Sequence, residues 1–119
     1  MPGISVFEYK GRAIHYIDLR QCKSEEIVRI IEEAKKAIAA CPHGSVLTLT
    51  DVTGASYDAP TMVKMREYVE HNTPYVQKSA VLGITGLIKA LYKIIVSVTG
   101  REVRIFHDEE AAKEWLVGE

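Results

Sequence analysis

Cysteine is scarce in this chain of 119 residues: Cys22 and Cys41 are the only two, with no CxxC spacing between them. That leaves two reduced thiols of a cytoplasmic protein as the expectation, over a disulfide or a metal site. A surplus of charge is also missing. Lys and Arg number 15 against 16 Asp and Glu, for a net charge of -1. Dedicated nucleic-acid binders carry a basic excess, so no nucleic-acid partner is expected. No apolar run approaches the roughly 20 residues that span a bilayer. Met1-Pro2-Gly3-Ile4 lacks the charged-then-apolar order of a secretory leader. Neither GxGxxG nor GxxxxGK[ST] occurs, which argues against a nucleotide cofactor, and no GxSxG elbow is present. His15, His43, His71 and His107 are scattered, without an HxxxH pair. No metal, no cofactor and no enzymatic nucleophile–base pair is expected. Cys41-Pro42-His43 reads as a helix end.

What is present is a regular order of elements. Ile4 to Lys10 alternates, Gly11-Arg12 turns, and Ala13 to Leu19 is strand-like, which predicts an antiparallel hairpin. Ser24 is placed to cap a helix, with Glu25 and Glu26 in its first turn. Ile27, Ile30, Ile31, Ala34 and Ile38 recur at helical spacing, Glu25–Arg29 and Glu32–Lys36 form i,i+4 pairs, and Pro42 and Gly44 stop the helix. Ser45 to Thr50 is the third strand. Asp58 and Pro60 open a helix striped by Met62, Met65, Tyr68 and Val69, which ends at Asn72-Thr73-Pro74. Ser79 to Ile84 is the fourth strand. Thr85 to Val98 reads as a helix by length, against the strand propensity of Ile94-Ile95-Val96-Ser97-Val98. Glu102 to His107 alternates as a fifth strand. Asp108 caps a closing helix that turns Ala112, Trp115 and Leu116 inward.

The resulting β-β-α-β-α-β-α-β-α string predicts one α/β domain over residues 1–119: a five-stranded mixed sheet, with an N-terminal antiparallel hairpin followed by parallel βα units. Strands buried on both faces read as continuous apolar runs. The third and fifth strands alternate instead, so helices are expected mainly on one face.

Two loops carry the candidate site. Asp51, Thr53, Tyr57 and Asp58 follow the third strand, where small α/β domains bind ligands. The same residues suit plain loop chemistry, in which Asp and Thr satisfy turn amides and Asp58 caps a helix. Gly83-Ile84-Thr85-Gly86 leads into the next helix, whose free amides could hold an anion, with Lys89 one turn in. The alternative is close strand–helix packing. The basic residues Lys89, Lys93, Arg101 and Arg104 suit either a solvated face or an anionic lipid or acidic partner at a peripheral membrane contact. The apolar excess of the 85–98 helix predicts a homodimer surface or an apolar ligand cavity.

The element order resembles the STAS domains. Thr50-Asp51-Val52-Thr53-Gly54, Gly83-Ile84-Thr85-Gly86-Leu87 with Lys89, Gly100-Arg101 leading to Phe106, and Asp108 to Leu116 are similar to the SpoIIAA-like, or STAS/SEC14-type, proteins. The resemblance implies a non-enzymatic regulatory or binding module, working through a protein partner or small ligand. Its SEC14 side implies the alternative, a carrier or peripheral membrane protein holding a lipid or other apolar ligand. Phosphorylated antagonists of this type carry a serine at the start of the second helix, in an Asp-Ser-Ser-Gly pattern. Asp58-Ala59-Pro60-Thr61 stands there instead, so no phosphoserine switch is expected.

Overall fold

The protein is described by a computed structural model covering residues 2–84, 89, 93 and 103–118. Strands β1 (Gly3–Tyr9) and β2 (Arg12–Asp18) form the hairpin, and helix α1 (Ser24–Ala39) follows. Then come β3 (Val46–Asp51), α2 (Ala59–Asn72), β4 (Val76–Leu82), β5 (Val103–Phe106) and α3 (Glu109–Val117). The sheet runs in sequence order, β1-β2-β3-β4-β5. β1 and β2 pair antiparallel, and the other pairs are parallel. This is the mixed sheet predicted above. The expected helix over 85–98 lies outside the described residues, apart from Lys89 and Lys93, which are helical and exposed.

Local chemistry accounts for most element ends. The hairpin turns on Lys10 and Gly11, one residue before the predicted pair, and both have positive φ (51° and 82°). Positive φ at both central residues is the twist-matched two-residue turn. Helix α1 begins at Ser24 with Lys23 in the cap position, again one residue early. The Lys23 amide donates to Glu26 Oε1 at 3.3 Å, half of a capping box. Asp58 caps α2, accepting from the Thr61 amide at 2.8 Å, and Asp108 caps α3, accepting from the Ala111 amide at 3.0 Å. Glu32 pairs with Lys35 rather than with Lys36. β4 begins three residues before the predicted start and ends at Leu82 rather than Ile84.

Two helices cover one face of the sheet and one covers part of the other. Ile27, Ile30, Ile31, Ala34 and Ile38 of α1, with Met65, Tyr68 and Val69 of α2, pack on Ile17, Val46 and Val81. Behind the sheet, Ala112 and Leu116 of α3 pack on Ile14, Leu47, Leu49, Ala80 and Leu82. Trp115, expected inward, is half-buried against Phe106. The alternation of β3 does not mark a wet face: all six of its residues are buried. Its threonines lie under the helices, where Thr48 donates to Ser79 Oγ at 2.7 Å. A buried hydroxyl is tolerated when it is bonded.

Candidate functional site

The C-terminal ends of β2 and β3 set Asp18 beside Asp51. Asp51 Oδ1 accepts from the Thr53 amide at 3.0 Å and from its hydroxyl at 2.6 Å, closing a tight turn. Thr53 in turn lies against Gly83, whose φ is +83°; a Cβ there would come within 2.8 Å of Thr53 N and Cα. The Val52 amide donates to Leu82 O at 2.9 Å. The loops after β3 and β4 are therefore side by side, held by backbone. Thr85 and Gly86 lie outside the described residues, and Lys89 is exposed.

The predicted residues separate into two roles. The Asp51 carboxylate and the Thr53 hydroxyl bond each other, and Tyr57 is half-buried against the core of the α1–α2 face. Asp58 is exposed and borders an open groove of about 400 Å³ between the first turns of α1 and α2. Ser24, Glu25, Val28, Pro60, Thr61 and Lys64 complete its lining. Hydrogen bonding from Thr61 holds the Asp58 carboxyl below the usual range. Thr61 itself is buried, 2% exposed.

Sequence reasoning missed the partner of Asp51 at the strand ends. Asp18 is 4% exposed. Its Oδ1 accepts from Arg20 N at 3.0 Å and Nε at 2.9 Å, and its Oδ2 accepts from Nη2 at 2.8 Å. Hydrogen bonding from Arg20 depresses the Asp18 pKa, burial opposing it. An acidic and a basic residue two apart, just past an apolar strand, was the available signal. Because the folded pKa is lowered, Asp18 contributes stability in full above its unfolded value of about 3.9 and loses it as pH falls through the folded value. Asp18→Asn is expected to cost about 1–2 kcal/mol at neutral pH. It should also flatten the loss of stability below about pH 4, read as urea midpoints against pH. An unchanged acid limb would show that Asp18 has no such role.

Cys41 also meets a histidine, although not its neighbour in sequence. Its Sγ lies 3.8 Å from His15 Nε2 and 3.6 Å from Ala37 O. Burial lowers the His15 pKa, which keeps the ring neutral at pH 7. Beside this pair an apolar slot of about 250 Å³ opens between α1 and the hairpin, lined by Ile4, Val6, Ile17, Ala34, Ala37 and Ile38 among others. Among the described residues no group of three or more His, Cys, Asp and Glu could hold a metal ion. No helix among them is long and apolar enough to cross a membrane.

A sequence-ordered mixed sheet with paired loops at its C-terminal edge and a helix-bounded groove defines a small α/β domain. Residues 13–117 match the family model described as SpoIIAA-like, and the chain belongs to that family. No curated protein matches the sequence. Among solved structures it is similar to an uncharacterized protein of the DUF3478 family with a SpoIIAA-like fold from Shewanella loihica PV-4. The TM-score is 0.71 at 15% identity, over 98% of this chain and 95% of that one. That likeness bears on the fold alone.

Proposed function

We propose that the protein is a non-enzymatic regulatory module that binds a protein partner in the groove between the first turns of α1 and α2. The groove itself carries the reading. It is open, about 400 Å³, and its lining combines apolar Val28 and Pro60 with charged Glu25, Asp58 and Lys64. Apolar contact area mixed with charged groups suits a protein docking surface. The carboxylates of Asp18 and Asp51 are already hydrogen-bonded by Arg20 and Thr53, which suits binding better than proton transfer.

Control by phosphate at α2 is not part of this reading. Ala59 and Pro60 have no hydroxyl, and the Thr61 side chain is buried. Partner exchange would be governed by occupancy or by self-association, the expected homodimer, which sedimentation would reveal as twice the chain mass. The loop that carries Asp51, Thr53 and Tyr57 leads to Asp58 on the groove.

The carrier reading rests on the apolar slot under α1. At about 250 Å³ it falls below the roughly 300–1,000 Å³ of ordinary small-molecule pockets, so a lipid is the weaker occupant. Native mass spectrometry of the protein isolated from its own cells separates the two. The expected species carries a protein partner at fixed stoichiometry, lost in Val28→Glu. A partner retained by that folded variant, or a monomer carrying only lipid, would contradict the proposal.

A further inference from the structure

On the far side of the sheet from the α1–α2 groove, α3 covers mainly β3, β4 and β5. The β1–β2 half of that face is left to side chains. A pocket of about 300 Å³ opens there, lined by Phe7, Tyr16, Arg20, Leu49, Glu109 and Lys113. Its floor is Leu49, fully buried, and its wall is the edge-to-face pair of Phe7 and Tyr16, with ring centroids 6.2 Å apart. Lys113 Nζ stands 5.2 Å from the centre of the Phe7 ring.

The rim carries both signs of charge, and each charged group is only partly engaged. Arg20 bonds Asp18 through Nε and Nη2, leaving Nη1 without a partner among the described residues. Lys113 bonds Glu109 Oε2 at 3.0 Å and Glu110 Oε1 at 3.5 Å, which leaves one of its three N–H donors, and Glu109 Oε1 has no partner among the described residues. The Tyr16 hydroxyl makes no hydrogen bond to a described residue. Burial raises its pKa, followed by the Asp18 carboxylate, so the hydroxyl remains a donor at neutral pH.

We infer that this pocket binds a small zwitterion with an apolar body, of the class of the aromatic and branched α-amino acids. Its carboxylate meets Arg20 Nη1 and Lys113, its ammonium meets Glu109, and its side chain lies over Leu49 against Phe7 and Tyr16. A simple anion would leave Glu109 opposed to it, and a simple cation would leave Arg20 and Lys113 opposed. Only a ligand of both signs answers the rim, and aromatic walls with an aliphatic floor favour an apolar side chain. The site is remote from the α1–α2 groove and does not rest on the function proposed for it.

Titration of the isotope-labelled full chain by amide NMR tests the inference. L-phenylalanine is expected to give saturable shifts centred on Phe7, Tyr16, Arg20, Leu49, Glu109 and Lys113. 3-Phenylpropionate lacks the ammonium and phenethylamine lacks the carboxylate. Each should bind roughly tenfold or more weakly, the loss of one charge-assisted hydrogen bond. Glu109→Gln, an exposed change, should weaken L-phenylalanine roughly tenfold, whereas 3-phenylpropionate, relieved of the opposing carboxylate, should bind no more weakly than before. The inference is overturned by equal binding of phenylalanine and 3-phenylpropionate, or by the absence of saturable shifts with phenylalanine, leucine and methionine alike.

Discussion

Gly83→Ala is expected to destabilise the protein by about 3 kcal/mol or more, from two causes that add. An alanine at φ +83° costs about 1–2 kcal/mol in backbone conformation. Its methyl would also overlap Thr53 at N, Cα and Oγ1, and forced overpacking costs a further 1–3 kcal/mol or so. Gly11→Ala isolates the first cause. Its φ is almost the same, +82°, but nothing lies within 4 Å of the new methyl. The Gly11 variant should therefore lose only about 1–2 kcal/mol. Combining Thr53→Ala with Gly83→Ala should not restore stability, because the backbone atoms of residue 53 remain in the way. Urea unfolding of the three variants decides this. Equal losses for Gly11→Ala and Gly83→Ala would mean that the loops after β3 and β4 do not touch.

Leu47→Ala is expected to cost about 2–5 kcal/mol, enough to lower Tm by on the order of 10 °C. Leu47 is 1% exposed and packs in the cluster built around α3. Val63→Ala is the control. Val63 is 58% exposed on α2, and its loss should stay within about 0.5 kcal/mol. The contrast bears on the layering of the fold. Were the sheet covered on one face only, Leu47 would point to solvent and its truncation would be as mild as that of Val63. Thermal melts of both variants, followed by far-ultraviolet circular dichroism, give the comparison.

Much of this architecture was legible because the local signals agree with each other. The isoleucines of α1 repeat at helical spacing, and all of Ile27, Ile30, Ile31 and Ile38 are buried. Asp58 and Asp108 were readable as caps because a carboxylate before a helix has one obvious use. The full burial of β3 was not legible from its alternation: Thr48 is buried and bonded to Ser79, a pairing that only the register of β3 on β4 creates. The start of β4 was missed for a similar reason: Val76-Gln77-Lys78 has a weak apolar pattern, and Lys78 is held by the carbonyls of Trp115 and Gly118 at the distant end of α3. The candidate site was legible only as a loop. That Asp51 turns inward to Thr53, that Asp18 stands beside it, and that Asp58 opens on a groove all depend on strand order and helix placement. Tyr16 on β2 and Arg20 in the loop after it meet Glu109 and Lys113 of α3, and nothing in the sequence joins those two distant segments.

The central claim is that the groove between α1 and α2 is where a protein partner sits. Site-specific photo-cross-linking in the protein's own cells tests it most directly. A benzophenone side chain would be placed in turn at Val28, Lys64, Val63 and Gln77. Val28 and Lys64 line the groove, Val63 is exposed elsewhere on α2, and Gln77 is exposed on β4. The account predicts one protein adduct of the same mass at Val28 and Lys64, and none of that mass at Gln77. Adducts of equal yield at all four positions, or at Gln77 and Val63 alone, would contradict it.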